Sequence, residues 1–266
     1  MPQLEVFPLY SGSSGNATLV KADGINILID AGVSCKRLCE GLVSIDVDPD
    51  SIDYIFITHC HSDHIAGVDV FERHHPAPLY TTADTCYVIE SACRKKFGSE
   101  MIEIGQKDCV TLSDTVKVMS CPTPHDAAGS VCYKVIVGDK SFLLLTDVGH
   151  LTEEIVDFAY GVDGALVESN YDVRMLIYGF YPDELKARVA GDGGHLSNEE
   201  CADLIKVMIE HGTEQFIIGH LSDKNNTPKQ AVSTIVDILA KSDLVRNRDY
   251  RLSVAERYEP TDGMIL

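Results

Sequence analysis

No apolar run in the 266 residues is long enough to cross a membrane: stretches such as FLLL at 142–145 fall far short of the ~20 residues a spanning helix needs. The opening MPQLEVFPLY lacks the basic flank and apolar core of a secretory signal, so a cytosolic protein is expected. Repeats, low-complexity tracts and Gly/Ser/Pro-rich linkers are also missing. With 45% hydrophobic and 24% charged residues, this excludes disorder, collagen and coiled coil as the dominant state. The nine cysteines contain no CxxC pair and are odd in number, which speaks against a disulfide scaffold and for free, mostly buried thiols. Basic residues are scarce, 22 against 41 acidic ones, for a net charge of −19. A protein that coats nucleic acid non-specifically would be basic. What the balance leaves open is a locally positive cleft, with carboxylates available to serve a cation.

What is present is a strand-rich first half followed by strand–helix alternation. LEVFPLY (4–10), ATLVKA (17–22) and INILIDAG (25–32) read as short strands punctuated by SGSSGN and Asp23-Gly24. YIFIT (54–58) reads as a buried strand, and Asp84 to Phe97 as a helix. VKVMSC (116–121), CYKVIVG (132–138), SFLLLTDVG (141–149), GALVES (164–169) and QFIIGH (215–220) supply further strands. Ser197 followed by Glu200 is a capping-box pattern; Cys201, Leu204, Ile205, Met208 and Ile209 then recur with helical period, and Gly212 ends the helix. This order predicts two stacked sheets flanked by helices, in one domain spanning 1–266.

The chemistry concentrates in THCHSDH, residues 58–64. His59 and His61 are two apart at a strand end and can project from one face. Asp63 and His64 follow in a loop or an opening helical turn. The chain cannot wrap all four around one ion, so the segment suggests two: His59 and His61 on the first, Asp63 and His64 on the second.

An H-x-H-x-D-H segment after a strand resembles the signature of the metallo-β-lactamase superfamily. Asp30 in LIDAG, His125 in PTPHDA, Asp147 in LLTDVG and His220 in IIGHLS resemble its other motifs in order. The resemblance implies an α+β fold, the four-layer αββα sandwich, and a dinuclear site. His59, His61 and His125 would hold one ion, Asp63, His64 and His220 the other, with Asp147 bridging and Asp30 orienting the ligand loop. Imidazole and carboxylate ligands suit Zn²⁺, Mn²⁺ or Fe²⁺ without choosing among them. Two such ions make the site locally positive, which suits a phosphodiester.

Details discriminate among branches. The best-known lactamases carry cysteine where Asp147 stands, and flavodiiron oxidoreductases carry glutamate where His61 stands. Too few residues separate Asp147 from His220 for the nuclease branch with an inserted cap domain. Glyoxalase-II-like thioesterases share the ligands and remain open, as do a small-molecule phosphodiesterase and a metal-bound scaffold without turnover. Glu168 in GALVESNYD and His195 in GGHLSN resemble the glutamate–histidine pair of tRNA 3′-processing nucleases, which implies proton donation to a leaving oxygen. Asp63 joins this pair among the expected catalytic side chains. The whole set is similar to the WalJ/YycJ-like branch, which implies a metal-dependent exonuclease on DNA ends, with DNA as partner, no membrane association and links to repair.

Ser13, Ser14 and Asn16 in SGSSGN, Ser197 at its helix start and Ser222 after His220 are the expected phosphate-binding residues. Lys224 and the Arg94–Lys96 cluster are candidates for extending the grip on nucleic acid. Cys60 is expected to turn away from the metals as a core thiol. His74, His75, His150 and His211 match no motif and read as surface or capping residues. Cys35 and Cys39 can share a helix face, but with no partner pair in the sequence no zinc knuckle is expected.

Overall fold

The computed structural model describes residues 3–93 and 97–266. The chain divides into two compact units: Met1–Pro122 with Ala127–Lys140 and Ala255–Leu266, and Thr123–Asp126 with Ser141–Val254.

The first unit is built on a sheet that begins as a meander. β1 (Leu4–Tyr10), β2 (Ala17–Ala22) and β3 (Ile25–Ile29) pair antiparallel, and a short C-terminal strand (Met264–Ile265) pairs with β1. Crossovers through helices then make the sheet parallel. α1 (Cys35–Ser44) leads to β4 (Tyr54–Phe56); α2 (Ser62–Ile65) and α3 (Val68–His74) lead to β5 (Leu79–Thr82); α4 (Ala83–Ala92) leads to β6 (Met101–Ile104). β7 (Cys109–Thr111), β8 (Val116–Pro122) and β9 (Val131–Val137) pair antiparallel in the same unit. Leu9, Leu19, Leu28, Leu38, Ile55 and Phe71 pack into one buried cluster, so the apolar strand faces and the inner faces of α1 and α3 form a continuous core.

The second unit is a parallel ladder. β10 (Lys140–Leu145), β11 (Gly164–Glu168), β12 (Gln215–Gly219) and β13 (Arg251–Val254) pair in that order. β11 is buried at every residue, as expected of a central parallel strand covered on both faces. α5 (Glu153–Ala159), α6 (Val173–Tyr178), α7 (Asp183–Val189), α8 (Asn198–Glu210) and α9 (Pro228–Ala240) connect the strands. The capping box expected at Ser197 and Glu200 is present in both directions, and α8 buries Cys201, Leu204, Ile205 and Met208. Among the described residues, no helix is long and apolar enough to cross a membrane.

Several element boundaries differ from the sequence expectation: the strands expected over 25–32 and 141–149 end at Ile29 and Leu145, and two further differences have a visible cause or consequence. The strand expected over 54–58 ends at Phe56. Ile57 still donates to Tyr80 O, but the Thr58 N–H turns to the Asp30 carboxylate at 2.8 Å and leaves the ladder. The helix expected to reach Phe97 ends at Ala92, with Cys93 already extended. The Arg94–Lys96 cluster lies outside the described residues.

Candidate metal centre

Three motif residues share an unusual backbone. Asp30, Asp147 and His220 have φ of 62°, 59° and 53°, each just beyond the end of a strand, β3, β10 and β12 respectively. The other non-glycine residues in this region are Asp or Asn, which tolerate it through their short polar side chains; His220 is the exception. Holding a residue there costs ~1–3 kcal/mol and persists only where the surroundings over-determine it. The kink throws each side chain off its strand end, where a parallel sheet exposes its functional residues.

In the first unit, a buried relay sets the imidazoles. Asp30 Oδ1 accepts from the Thr58 N–H, and Asp30 Oδ2 lies 2.7 Å from His64 Nδ1. The Thr58 hydroxyl donates to the same carboxylate and lies 3.0 Å from His59 Nδ1. Each of these contacts fixes Nδ1–H as the donor and leaves Nε2 with its lone pair, the tautomer a metal ligand requires. The rings of His59 and His61 sit 4.7 Å apart, those of His59 and His64 4.1 Å. His61 stands at the N-cap position of α2 without a side-chain capping bond, and α2 carries Asp63 and His64 in its single turn.

The loop SGSSGN is stitched to this segment. Asn16 N donates to Asp63 O, Gly32 N to Asn16 O, and Ala31 N to His64 O, all at 2.8 Å. Only glycine fits at position 32, where a Cβ would fall 1.6 Å from Asp63 O. The Asn16 side chain is buried; its Oδ1 accepts from Gly12 N and its Nδ2 lies 3.0 Å from His64 Nε2 and 3.3 Å from Asp63 Oδ2. Asn16 therefore positions the ligand loop, while Ser13 and Ser14 are exposed beside it. Cys60 is half-buried and so is not the core thiol expected: it lies outside the strand alternation that would have turned it inward.

The second unit gathers Asp147, Glu168, His195 and His220, with one ligand atom of each lying within 4.8 Å of the others. Glu168, fully buried, is the hub. Its Oε1 lies 2.8 Å from His195 Nδ1 and 2.7 Å from His220 Nδ1, while its Oε2 accepts from the Val148 and Leu196 N–H groups at 3.0 and 3.2 Å. Burial pushes this carboxyl up, but the charge and hydrogen bonds of His195 and His220 outweigh it and hold Glu168 well below the usual carboxylate range. Burial likewise works against a charged His195, and Glu168 overrides it, so the His195 imidazole is raised. His125 is oriented the same way, its Nδ1 on Gly194 O at 3.0 Å.

Asp147 Oδ1 lies 3.6 Å from Nε2 of both His125 and His220. Two ligand atoms at about 2.0–2.2 Å from one tetrahedral ion are themselves about 3.3–3.6 Å apart. The spacing and the preset tautomers fit a divalent ion, with Asp147 able to share one with either imidazole.

Ser197 is committed to its capping box, and the Ser222 hydroxyl accepts from Lys224 and Asn225 N–H groups. Residues beyond those expected support the site. Asn170 Nδ2 donates to His220 O at 2.9 Å, fixing its kinked backbone, and Asn226 ties Asn198 to Ser169 O. ESNYD and KNN held this signal as asparagines clustered beside strand ends. Next to the loop after His220 opens a cavity of about 800 Å³ lined by Arg174, Met175, Tyr178, Phe180, Tyr181 and Lys224. Phe180 is fully exposed and Tyr178 nearly so, a costly placement for two aromatics.

The metallo-β-lactamase superfamily profile matches residues 10–92. Exodeoxyribonuclease WalJ of Streptococcus pneumoniae is 36% identical over 249 residues, covering 92% of this chain and 91% of its own. Exodeoxyribonuclease YycJ of Bacillus anthracis is 31% identical over 231 residues, covering 87% of each chain. The metallo-β-lactamase fold protein YhfI of Bacillus subtilis superposes with a TM-score of 0.73 at 15% identity, covering 98% of this chain and 99% of its own, which shows the α+β sandwich fold expected from the motifs. With ligand motifs, fold and full-length similarity in agreement, the chain belongs to the WalJ/YycJ family of metallo-β-lactamase-fold proteins.

Proposed function

We propose that this protein is a metal-dependent hydrolase of phosphodiester bonds, an exonuclease acting on DNA ends in the cytoplasm, where DNA repair is its natural setting. The observation that carries the reading is the buried Glu168 carboxylate shared between His195 and His220. One carboxylate thereby orients both a metal ligand and a proton donor, an arrangement that a non-catalytic metal scaffold has no use for. The exodeoxyribonuclease names of the two relatives agree with it.

The 266 residues act as one hydrolase domain. His59, His61 and His125 would hold one ion and Asp63, His64 and His220 the other, with Asp147 shared; Zn²⁺ and Mn²⁺ would be the favoured occupants, with Fe²⁺ compatible. Bound there, two divalent ions supply Lewis-acid polarisation of the phosphoryl oxygens and lower the pKa of water toward ~7. The chain's own residues do the rest. Asp30 and Thr58 hold the imidazoles of His59 and His64 with the proton on Nδ1 and Nε2 unprotonated. His195, charged through Glu168, donates its proton to the leaving 3′- or 5′-oxygen. Exposed Ser13 and Ser14 bind a flanking phosphate.

With −19 overall and positive potential confined to the site, few phosphates can be gripped at once. We expect cleavage of linear but not covalently closed circular DNA, and a salt slope of two or three phosphates, log K falling ~0.7–0.9 for each. Efficient cutting of the closed circle, or a slope worth about six phosphates or more, would overturn the end-acting reading. The same titration run with a thioester separates nuclease from thioesterase.

The exposed ledge of Tyr178 and Phe180, flanked by Arg174 and by Lys224 in its ion pair with Asp223, supplies a stacking platform for unpaired bases near the end. Phe180→Ala should weaken single-stranded DNA binding about 5- to 100-fold, since one base stack contributes ~1–3 kcal/mol. Hydrolysis of bis-nitrophenyl phosphate, which has no base to stack, should be unchanged; equal losses on both would remove the ledge from substrate binding.

A further inference from the structure

A cluster in the first unit lies apart from the motifs of the metallo-β-lactamase signature. Cys35 and Cys39 sit one helical turn apart on α1, with their sulfurs 4.0 Å from each other. Cys39 Sγ is 3.4 Å from Nε2 of His75, the residue that ends α3. One ligand atom of each of the three lies within 4.8 Å of the other two. The sequence offered no partner for the cysteine pair because His75 is 36 residues from Cys39 and matches no motif.

The spacings are those of a shared ion. With Zn–S at about 2.3 Å and Zn–N at about 2.0–2.1 Å, tetrahedral geometry sets two sulfurs about 3.8 Å apart and a sulfur–nitrogen pair about 3.5 Å apart. A disulfide would need the sulfurs at about 2.05 Å, roughly half their actual separation. His75 is also prepared as a ligand. Its backbone N–H donates to Phe71 O, its ring packs on the buried Phe71 at 5.0 Å, and its Nδ1 meets Asp50 Oδ1 at 2.5 Å. A carboxylate on Nδ1 is the arrangement that fixes the tautomer and raises the basicity of metal-binding histidines. It leaves Nε2 directed at the Cys39 sulfur.

We propose that Cys35, Cys39 and His75, with Asp50 behind His75, form a separate site for one thiolate-binding divalent cation of the Zn²⁺ class. All three ligands are half-buried, so solvent supplies the fourth position. The ion would join α1 to the end of α3, the helix that directly follows the His59–His64 segment. It fastens two helices of the first unit to each other, and it does not depend on the nuclease reading.

Co²⁺ is the probe, because thiolate-to-cobalt charge transfer in the near ultraviolet reports only sulfur ligands and the proposed catalytic set contains none. Titrating the reduced full-length protein should develop this band to an amplitude of one thiolate-bound Co²⁺ per chain, whatever Co²⁺ the His/Asp site also takes up, and added Zn²⁺ should bleach it. Cys35→Ser or Cys39→Ser should abolish the band while DNA cleavage persists. Asp50→Asn, which leaves every ligand in place, should lower Co²⁺ affinity about 10- to 100-fold. Should the cysteine variants fail to fold, protection of both thiols in the wild-type protein from alkylation by Zn²⁺, mapped by peptide mass spectrometry, reads the same site. Absence of the charge-transfer band in the wild type, its persistence in Cys35→Ser/Cys39→Ser, or unchanged alkylation with Zn²⁺ would overturn the proposal.

Discussion

Asp147→Ala is expected to lower DNA hydrolysis by at least ~10³-fold, because the ions stabilise the transition state by several kcal/mol and each 1.36 kcal/mol is a factor of ten. Asp147 Oδ1 stands 3.6 Å from Nε2 of both His125 and His220, so its loss removes an oxygen placed to serve both imidazoles. Metal analysis of the purified variant should show one or both ions missing, with the far-ultraviolet circular dichroism little changed. Alanine also tolerates the φ of 59° poorly, so Asp147→Asn is the sharper control. Asparagine accepts that backbone yet offers only a neutral oxygen, and it should lose metal as well. A variant retaining two ions and activity within tenfold of wild type would remove Asp147 from the bridging role.

His195→Ala should slow substrates with poor alkoxide leaving groups by roughly 10²–10⁴ while affecting an activated nitrophenyl ester much less, since nitrophenolate leaves without a proton. Equal losses on both substrates would make His195 a binding residue. Considered as a partner of His195 alone, Glu168 would give a milder version of that phenotype when changed to Gln. The structure predicts a harsher one. Four donors converge on Glu168: His195 Nδ1, His220 Nδ1 and the N–H groups of Val148 and Leu196. A glutamine would turn its NH₂ toward two of them. The unpaired buried donors cost about 1–3 kcal/mol each, so Glu168→Gln should lower the melting temperature and cripple both substrates. A Glu168→Gln protein of wild-type stability, selectively slow on the poor leaving group, would contradict the shared-carboxylate geometry.

The candidate ligands were legible in the sequence because each follows an apolar run that breaks abruptly into polar residues. ILID, YIFITHCH, LLLTD and IIGH mark strand ends without any knowledge of what lies beside them. The Ser197–Glu200 cap was legible for the same reason, since its partners are three residues apart. The expected helix to Phe97 failed where propensity had no competitor in view. Periodicity could not register that the chain becomes extended at Cys93.

Local order therefore determined which residue types stand at the strand ends, and with them the chemistry the protein can perform. Tertiary structure alone decided the distant partners of His64, His220 and His75. His64 turns to Asp30 over 34 residues, His220 to Glu168 over 52, and Cys39 meets His75 over 36. Such contacts follow from sheet register and from the left-handed kinks at Asp30, Asp147 and His220, which side-chain identity permits but does not impose. A ring's tautomer and a carboxylate's charge depend on what approaches within about 3 Å, and only folding sets that distance.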